Sequence, residues 1–223
     1  MNKISIFIAV LSASFLISSC KKKDAEPTSC TCSNSTSASM YHFPLTIGSY
    51  WIYESDNMDS TYNVTSVAGI DSVFIANDTM ISGKQYFEKK LICLSGSSFY
   101  INTLGFPSIS KDSAGYMVSP SGTFIKVDDF TDILNVKVST VPPFTVVSKM
   151  ANKDSTVTVP AGTFQTINYL GKVTIMDPAY VGNRIKYNYD IMVNNIGVIY
   201  KTSGFYASPT NIGIRLLRYH IAS

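Results

Sequence analysis

The alternation of residue types between positions 184 and 193 limits the folds open to this chain more than any other feature. Two sets of residues interleave there: Ile185, Tyr187, Tyr189, Ile191 and Val193 with Arg184, Lys186, Asn188, Asp190 and Met192. Because successive side chains of a strand point to opposite faces, the pattern predicts an antiparallel strand with one apolar and one solvated face. Asn194-Asn195 tolerates positive φ, and the alternation resumes at Ile196, which predicts a tight hairpin.

A second hairpin is predicted at residues 157–164, with the sequence VTVPAGTF. Pro160 presets the φ of a turn, and Gly162 can take the positive φ that reconnects to a strand. Other strand-like runs, separated by turn residues, lie at 50–53, 62–67, 72–76, 85–94, 99–102, 116–119, 124–127 and 212–221. Asp128 and Asp129 are predicted to cap a short helix that ends at Leu134. The predicted fold is therefore all-β and mainly antiparallel, with at most one or two short helices.

The N-terminal segment, Met1 to Cys20, has the layout of an export signal. Lys3 precedes an apolar run that ends at Ile17 and is too short to span about 30 Å of hydrocarbon. The following Ser-Ser-Cys resembles the bacterial lipobox, in which the thiol receives diacylglycerol before cleavage. Cys20 is therefore the predicted lipidation site, with palmitate among the expected acyl chains. The alternatives are an ordinary signal with a chance cysteine and an anchor that is never cleaved.

The predicted organisation has three parts: a signal peptide at 1–19, a lipid-modified tether at 20–40 and a single β-rich domain at 41–223. Residue 21 is Lys rather than Asp, which by resemblance to Gram-negative sorting rules favours the outer membrane. Cys30 and Cys32 lie in the tether and are too close to bridge each other. Cys93 is expected to be a buried thiol, and a disulfide to one tether cysteine is the alternative.

Three stretches resemble uncharacterised Bacteroidota outer-membrane and envelope lipoproteins. They are FPLTIGSYWIY at 43–53, VPAGTF at 159–164 and NIGVIY at 195–200. The resemblance implies a β-rich envelope protein, with a curved open sheet or half-barrel like that of periplasmic lipoprotein carriers. A β-sandwich is the alternative architecture. The resemblance implies no activity and no catalytic residue.

Five Asp-Ser or Asp-Thr triplets resemble the O-glycosylation sequence of Bacteroidota. The candidate acceptors are Ser60, Ser72, Thr79, Ser113 and Ser155. The alternative is that these pairs belong to ordinary turns, because both side chains cap local backbone amides.

The sequence carries no recognised catalytic motif. It has no G-x-S-x-G or H-E-x-x-H and no phosphate-binding glycine loop. His42 and His220 are isolated, and two histidines do not complete a zinc site. Asp128, Asp129 and Asp132 could bind Ca²⁺, but helix capping explains two of them equally well. No metal or cofactor is therefore predicted.

Two classes of function remain open. The favoured one is a non-enzymatic, lipid-anchored envelope protein that binds an apolar ligand, a glycan or an envelope partner. Its ligand face is expected to expose several aromatic residues, drawn from Trp51, Tyr53, Tyr187 and Tyr189. The alternative is a secreted hydrolase with an unfamiliar site. The net charge of +3 includes no basic stretch interleaved with aromatic residues, so no nucleic-acid partner is expected. The oligomeric state is left open.

Overall fold

The computed structural model describes residues 44–96, 109–112, 116–120, 124–126, 130–180, 184–204 and 208–223. These residues form twelve strands: β1 (Tyr50–Met58), β2 (Val64–Ile81), β3 (Lys84–Gly96), β4 (Ile109–Asp112), β5 (Tyr116–Val118), β6 (Phe124–Lys126), β7 (Ile133–Thr140), β8 (Pro143–Val159), β9 (Gly162–Ile175), β10 (Ile185–Val193), β11 (Gly197–Gly204) and β12 (Asn211–His220). None of the described residues is helical. The described chain accordingly contains no helix that is long and apolar enough to cross a membrane.

All twelve strands belong to one antiparallel sheet. Their order is β6-β5-β4-β3-β2-β1-β12-β11-β10-β9-β8-β7. The first and last strands of the chain therefore pair near the middle of the sheet, and β6 and β7 form its two edges. The prediction of an all-β protein with an open sheet is confirmed, and the described residues do not form the alternative β-sandwich.

Both predicted hairpins form. Strand β10 has the bounds of the alternating stretch, and β11 follows it after a short turn. At the second hairpin Val159 pairs with Gly162, so Pro160 and Ala161 make a two-residue turn. Gly162 has a φ of +142°, a conformation that residues with a Cβ rarely adopt. The proline and the glycine therefore act as the sequence predicts.

The strand register separates the side chains of the sheet into two faces. Directly paired residues share a face, so the row Ser55, Ile214, Lys201 and Asp190 defines the inner face. The row Glu54, Arg215, Tyr200 and Ile191 defines the outer face.

The end of the β8–β9 hairpin folds back over the inner face. Pairing shifts between Ala151 and Ser155, where Asn152 and Asp154 both have positive φ. This bulge bends the long hairpin, because extra residues on one strand increase its local twist. The turn then reaches β12, where the amide of Ala161 donates to the carbonyl of Leu216 at 3.0 Å. Beneath it lies the main apolar core, which includes Val73, Ile75, Val159, Ile199, Ile212, Ile214 and Leu216.

Two sequence predictions about local structure need correction. The helix predicted to end at Leu134 is wrong: residues 130–132 form a bend, and β7 begins at Ile133. Pairing with β8 favours a strand over a helix from Ile133 onward. The preceding Asp128 and Asp129 lie outside the described residues. The runs at 62–67 and 72–76 belong largely to one continuous strand, β2. The run at 99–102 is also outside the described residues.

Two predictions about exposure are wrong. The face of β10 expected to be solvated is the more deeply buried one, since Lys186 is 6% exposed and Asp190 is 8% exposed. Ile185, on the face expected to be apolar, is 39% exposed. Cys93 is exposed rather than buried and forms no disulfide among the described residues. Its segment is apolar, but it lies near the end of β3, where the residues from Ile92 to Gly96 are exposed.

Candidate functional site

The pairing between β10 and β11 stops partway along the two strands. The ladder ends at Asp190, and side chains supply the bonds beyond it. Thr202 Oγ1 accepts the amide hydrogen of Tyr189 at 3.1 Å, and Asn188 Oδ1 accepts that of Gly204 at 3.2 Å. The strands separate here, and polar side chains occupy the space that backbone pairing would otherwise fill.

A polar groove lies on the inner face at this separation. It consists of two adjoining cavities of about 150 and 300 Å³. Both cavities are lined by Val146, Asn188 and Ser203. Hydroxyl, amide and charged groups alternate with the aromatic rings of Tyr169 and Phe144 along its walls. We call this feature the inner groove.

Three of the charged side chains that line the inner groove are paired or hydrogen-bonded. Lys201 Nζ lies 2.6 Å from Asp190 Oδ1, and both side chains are mostly buried. Lys186 Nζ donates to the carbonyl of Ser208, and burial lowers the pKa of this amine. Lys137 lies on the neighbouring edge strand and also lines the groove. The groove thus offers both hydrogen-bond donors and acceptors in a partly desolvated setting.

A second, apolar pocket lies elsewhere on the inner face, and we call it the Lys89 pocket. Its volume is about 40 Å³, and it is lined by Pro44, Leu45, Trp51, Tyr53, Val73, Lys89, Met117, Gly197 and Val198. Trp51 Nε1 donates to the carbonyl of Ile196 at 2.7 Å, and the Tyr53 hydroxyl donates to the carbonyl of Val198 at 2.8 Å. Burial raises the pKa of Tyr53 well above its ordinary value. These two bonds hold β1 against the β10–β11 turn.

The outer face carries an ionic cluster beneath the β1–β2 loop. Arg215 Nε donates to Asp56 Oδ2 at 2.7 Å, and its Nη2 donates to Glu54 Oε1 at 2.5 Å. Burial raises the pKa of Asp56, and the Arg215 guanidinium opposes that shift. Burial and the Asp56 carboxylate raise the pKa of the nearby Tyr200 to about 12. This cluster joins β1 to β12.

A tyrosine cluster lies beside it. The hydroxyl of Tyr62 donates to the carbonyl of Tyr187 at 2.8 Å and accepts its amide hydrogen at 2.7 Å. The Tyr62 ring meets that of Tyr189 edge to face, at 5.5 Å between centroids. A cavity of about 180 Å³ borders this cluster.

The four aromatic residues predicted to share a ligand face do not share one. Trp51 and Tyr53 are buried in the core of the inner face, at 6% and 2% exposure. Tyr187 and Tyr189 are half-buried on the outer face. The expectation fails because alternation shows only which residues of one strand share a face. Which residues of different strands share a face depends on the register between the strands.

The predicted modification sites lie in different settings. Ser60 is exposed in the β1–β2 turn, whereas Ser72, Thr79 and Ser155 are half-buried within strands. Ser113 and the lipidation site Cys20 lie outside the described residues, as do Cys30 and Cys32. Glycosylation and lipidation therefore stay predictions.

The residues considered for catalysis or metal binding form no cluster in the described part of the chain. His220 is exposed at the end of β12 and packs against the ring of Tyr50 at 5.6 Å. No carboxylate of the described residues forms an ion pair with it. Asp132 is exposed, while His42, Asp128 and Asp129 lie outside the described residues. The described residues contain no group of three His, Cys, Asp or Glu side chains that could hold a metal ion.

The residues of the inner groove and Lys89 were not identified from the sequence. The sequence did contain one signal. Met192 lies on the face of the 184–193 strand that was predicted to be solvated, and an apolar residue there indicates that this face is covered. Met192 is in fact 1% exposed. Nothing in the run at 85–94 marks Lys89 as the lysine whose ammonium is buried.

Comparison with known proteins gives little beyond the structure itself. No protein-family model and no curated protein matches the chain. One similar solved structure is a protein of Bacteroides fragilis, provisionally described as exported and as having a YmcC-like fold, with 10% identity and a TM-score of 0.49. Another is a provisionally described lipoprotein of Parabacteroides distasonis, with 15% identity and a TM-score of 0.45. Each match covers 81% of this chain and 99% of the other. At these values the likeness says nothing about function.

Proposed function

We propose that this protein is lipid-anchored at the outer membrane and binds a hydroxyl-rich ligand, a glycan, in the inner groove. The anchoring rests on the lipobox-like sequence that ends at Cys20. Two or three acyl chains give stable membrane attachment, whereas one gives only marginal binding. The glycan-binding role rests on the polar lining of the groove.

The observation that carries the proposal is the buried polar lining at the point where β10 and β11 separate. Lys186 and Asp190 are almost fully buried there, and Asn188 uses one of its four possible hydrogen bonds for a backbone amide. Burying charged groups costs free energy even when they are paired, and apolar residues of similar size are often at least as stable. Their presence in the groove is therefore better explained by ligand recognition than by stability.

The size and chemistry of the groove favour a sugar over an apolar molecule. Its larger cavity is about 300 Å³, at the lower end of the range for small-ligand sites. Sugars present many hydroxyls that both donate and accept, and the groove supplies partners of both kinds. The rings of Tyr169 and Phe144 can pack against the apolar face of a pyranose.

Binding is tested on the mature chain with Cys20→Ala, screened against a glycan array and then titrated calorimetrically with each glycan bound. We expect Asn188→Leu to weaken binding at least tenfold, because the amide contributes bonds that leucine cannot. The matched control is Lys172→Ala, which removes an exposed polar side chain from β9. Equal affinity in the Asn188 and Lys172 variants, or no glycan bound by the parent chain, would contradict the proposal.

Anchoring is tested in the native organism by separating soluble and membrane fractions. The wild-type chain should incorporate labelled fatty acid and sediment with outer membranes. Cys20→Ala should lose the label and move to the soluble envelope fraction, whereas Cys93→Ala should behave as wild type. Unchanged membrane association of the Cys20 variant would refute the lipid anchor.

A further inference from the structure

The Lys89 pocket contains a cationic group in apolar surroundings. Lys89 pairs across the sheet with Ile75, so its side chain points to the inner face. The residue as a whole is half-buried, and it lines the pocket together with Leu45, Val73 and Val198. This pocket is separate from the inner groove and shares none of its lining residues.

The ammonium has no anionic partner among the described residues. The Lys89 ammonium contacts Met117, where Nζ lies 3.4 Å from the thioether sulfur. A thioether is a weak acceptor, and an ammonium has three hydrogens to donate. Burial alone lowers the pKa of Lys89 to about 8, with no carboxylate to oppose the shift. The amine is therefore still mainly protonated at neutral pH.

An uncompensated buried cation is costly, and an anion that brings its own apolar group would offset that cost. The pocket has a volume of about 40 Å³, which exceeds the ~10–15 Å³ that a single water requires in the same measure. A carboxylate group fits this space. A strongly hydrated inorganic anion would lose its water against walls that offer few donors, so the walls favour an organic acid.

We propose that the Lys89 pocket binds an aliphatic carboxylate, with the carboxylate on the Lys89 ammonium and the start of the hydrocarbon chain against Leu45, Val73 and Val198. The remaining chain extends out of the pocket, which opens to the surface. The cation and the apolar walls both contribute affinity, and the cation also orients the ligand. This inference does not depend on glycan binding in the inner groove.

Trp51 provides a site-specific reporter for the test, because it is the only tryptophan of the chain and it lines the pocket. The mature chain with Cys20→Ala is titrated with sodium octanoate below its micelle concentration, and tryptophan emission is recorded. We expect a saturable change in emission. 1-Octanol, which has a similar chain and no charge, should bind at least tenfold more weakly.

The variant Lys89→Met replaces the ammonium by an apolar group of similar length and should remain folded. It should lose at least tenfold in octanoate affinity while binding octanol as well as the parent or better. Lys89→Arg, which keeps the charge, should retain part of the octanoate affinity. Lys149→Met serves as control, because that lysine is exposed on β8. Equal octanoate affinity in the parent and Lys89→Met, or no saturable response in the parent, would overturn the proposal.

Discussion

The two ends of the inner face are built in opposite ways. At the apolar end, Ile199, Ile214 and Leu216 have no measurable exposure, and β11 pairs with β10 through a backbone ladder that contains one bulge. At the groove end, the ladder between β10 and β11 has ended, and Asn188 and Thr202 bond to the backbone amides. The same two strands thus take part in both arrangements.

The difference indicates how stability is distributed along one sheet. Apolar burial stabilises by about 25 cal/mol per Å², whereas a buried ion pair often contributes little beyond an apolar replacement. We therefore expect the apolar end to supply most of the free energy of folding. The groove end should tolerate substitution better, provided that no polar group is left without its partner.

The largest effect is expected from truncation at the apolar end. Leu216→Ala should lower the free energy of unfolding by about 3–4 kcal/mol, because it leaves a cavity under the folded-back hairpin. Leu94→Ala is the control, since Leu94 is 51% exposed and should change stability by less than about 0.5 kcal/mol. Urea denaturation measures the free energy of unfolding of both variants. A cost below 1 kcal/mol at Leu216 would show that the core lies elsewhere.

A smaller effect is expected at the groove end from breaking the Lys201–Asp190 pair. Lys201→Met should cost about 2–3 kcal/mol, because it removes a cation from a carboxylate that is 8% exposed. The double variant Lys201→Met/Asp190→Leu should regain most of that loss, since neither charge then remains. Urea denaturation of all four combinations gives the coupling energy. If the losses of the two single variants simply add in the double variant, the two charges are not coupled, and the contrast with the apolar end is removed.

The sequence predicts the strands of this protein better than the burial of their faces. The β10 strand and both hairpin turns follow from alternation, Pro160 and Gly162, which act locally. The prediction that Lys186 and Asp190 are solvated fails because their partners lie on other elements: Lys186 donates to the carbonyl of Ser208, and Asp190 pairs with Lys201 of β11. A lysine is usually solvated, and no local pattern marks Lys186 as an exception.

The same limit applies to the candidate sites. Asn188 and Thr202 bond to backbone amides because the hydrogen-bond ladder between β10 and β11 stops before it reaches them. No residue type in the sequence indicates where such a ladder stops. Trp51 and Tyr53 are correctly identified as aromatic residues of an early strand, but they bond to carbonyls 145 residues later, in the β10–β11 turn and in β11. Long-range register of this kind has no counterpart in a single sequence.

The pH dependence of stability separates the Lys89 pocket from the rest of the inner face. The pKa of Lys89 is about 8 in the folded chain and near its ordinary value of 10.5 when unfolded. Between these values the unfolded chain binds more protons, so the free energy of unfolding rises with pH. We expect a rise on the order of 1–2 kcal/mol, of which the part between pH 7 and 9.5 is measurable by urea denaturation.

The lowered pKa of Lys186 also makes the free energy of unfolding rise with pH. Because Lys186 is present in both the parent and Lys89→Met, the difference between the two proteins isolates the contribution of Lys89. The variant should be more stable than the parent at pH 7, and the difference should shrink as pH rises. Measurements stop at pH 9.5 because the raised pKa values of Tyr53 and Tyr200 make stability fall at higher pH. A pH-independent difference would show that the Lys89 amine is solvated.

The smallest effect is expected where a side chain replaces the backbone ladder. Thr202 is 1% exposed, and Thr202→Val keeps its shape while removing the acceptor for the Tyr189 amide. The cost should be about 1 kcal/mol, the value of one hydrogen bond whose donor is left buried. Amide exchange at Tyr189 should become faster, while exchange at Ile214 at the apolar end should change only with global stability. If Tyr189 exchanges at the parent rate in the variant, the hydroxyl does not hold the separated strands, and the groove depends on its other polar contacts.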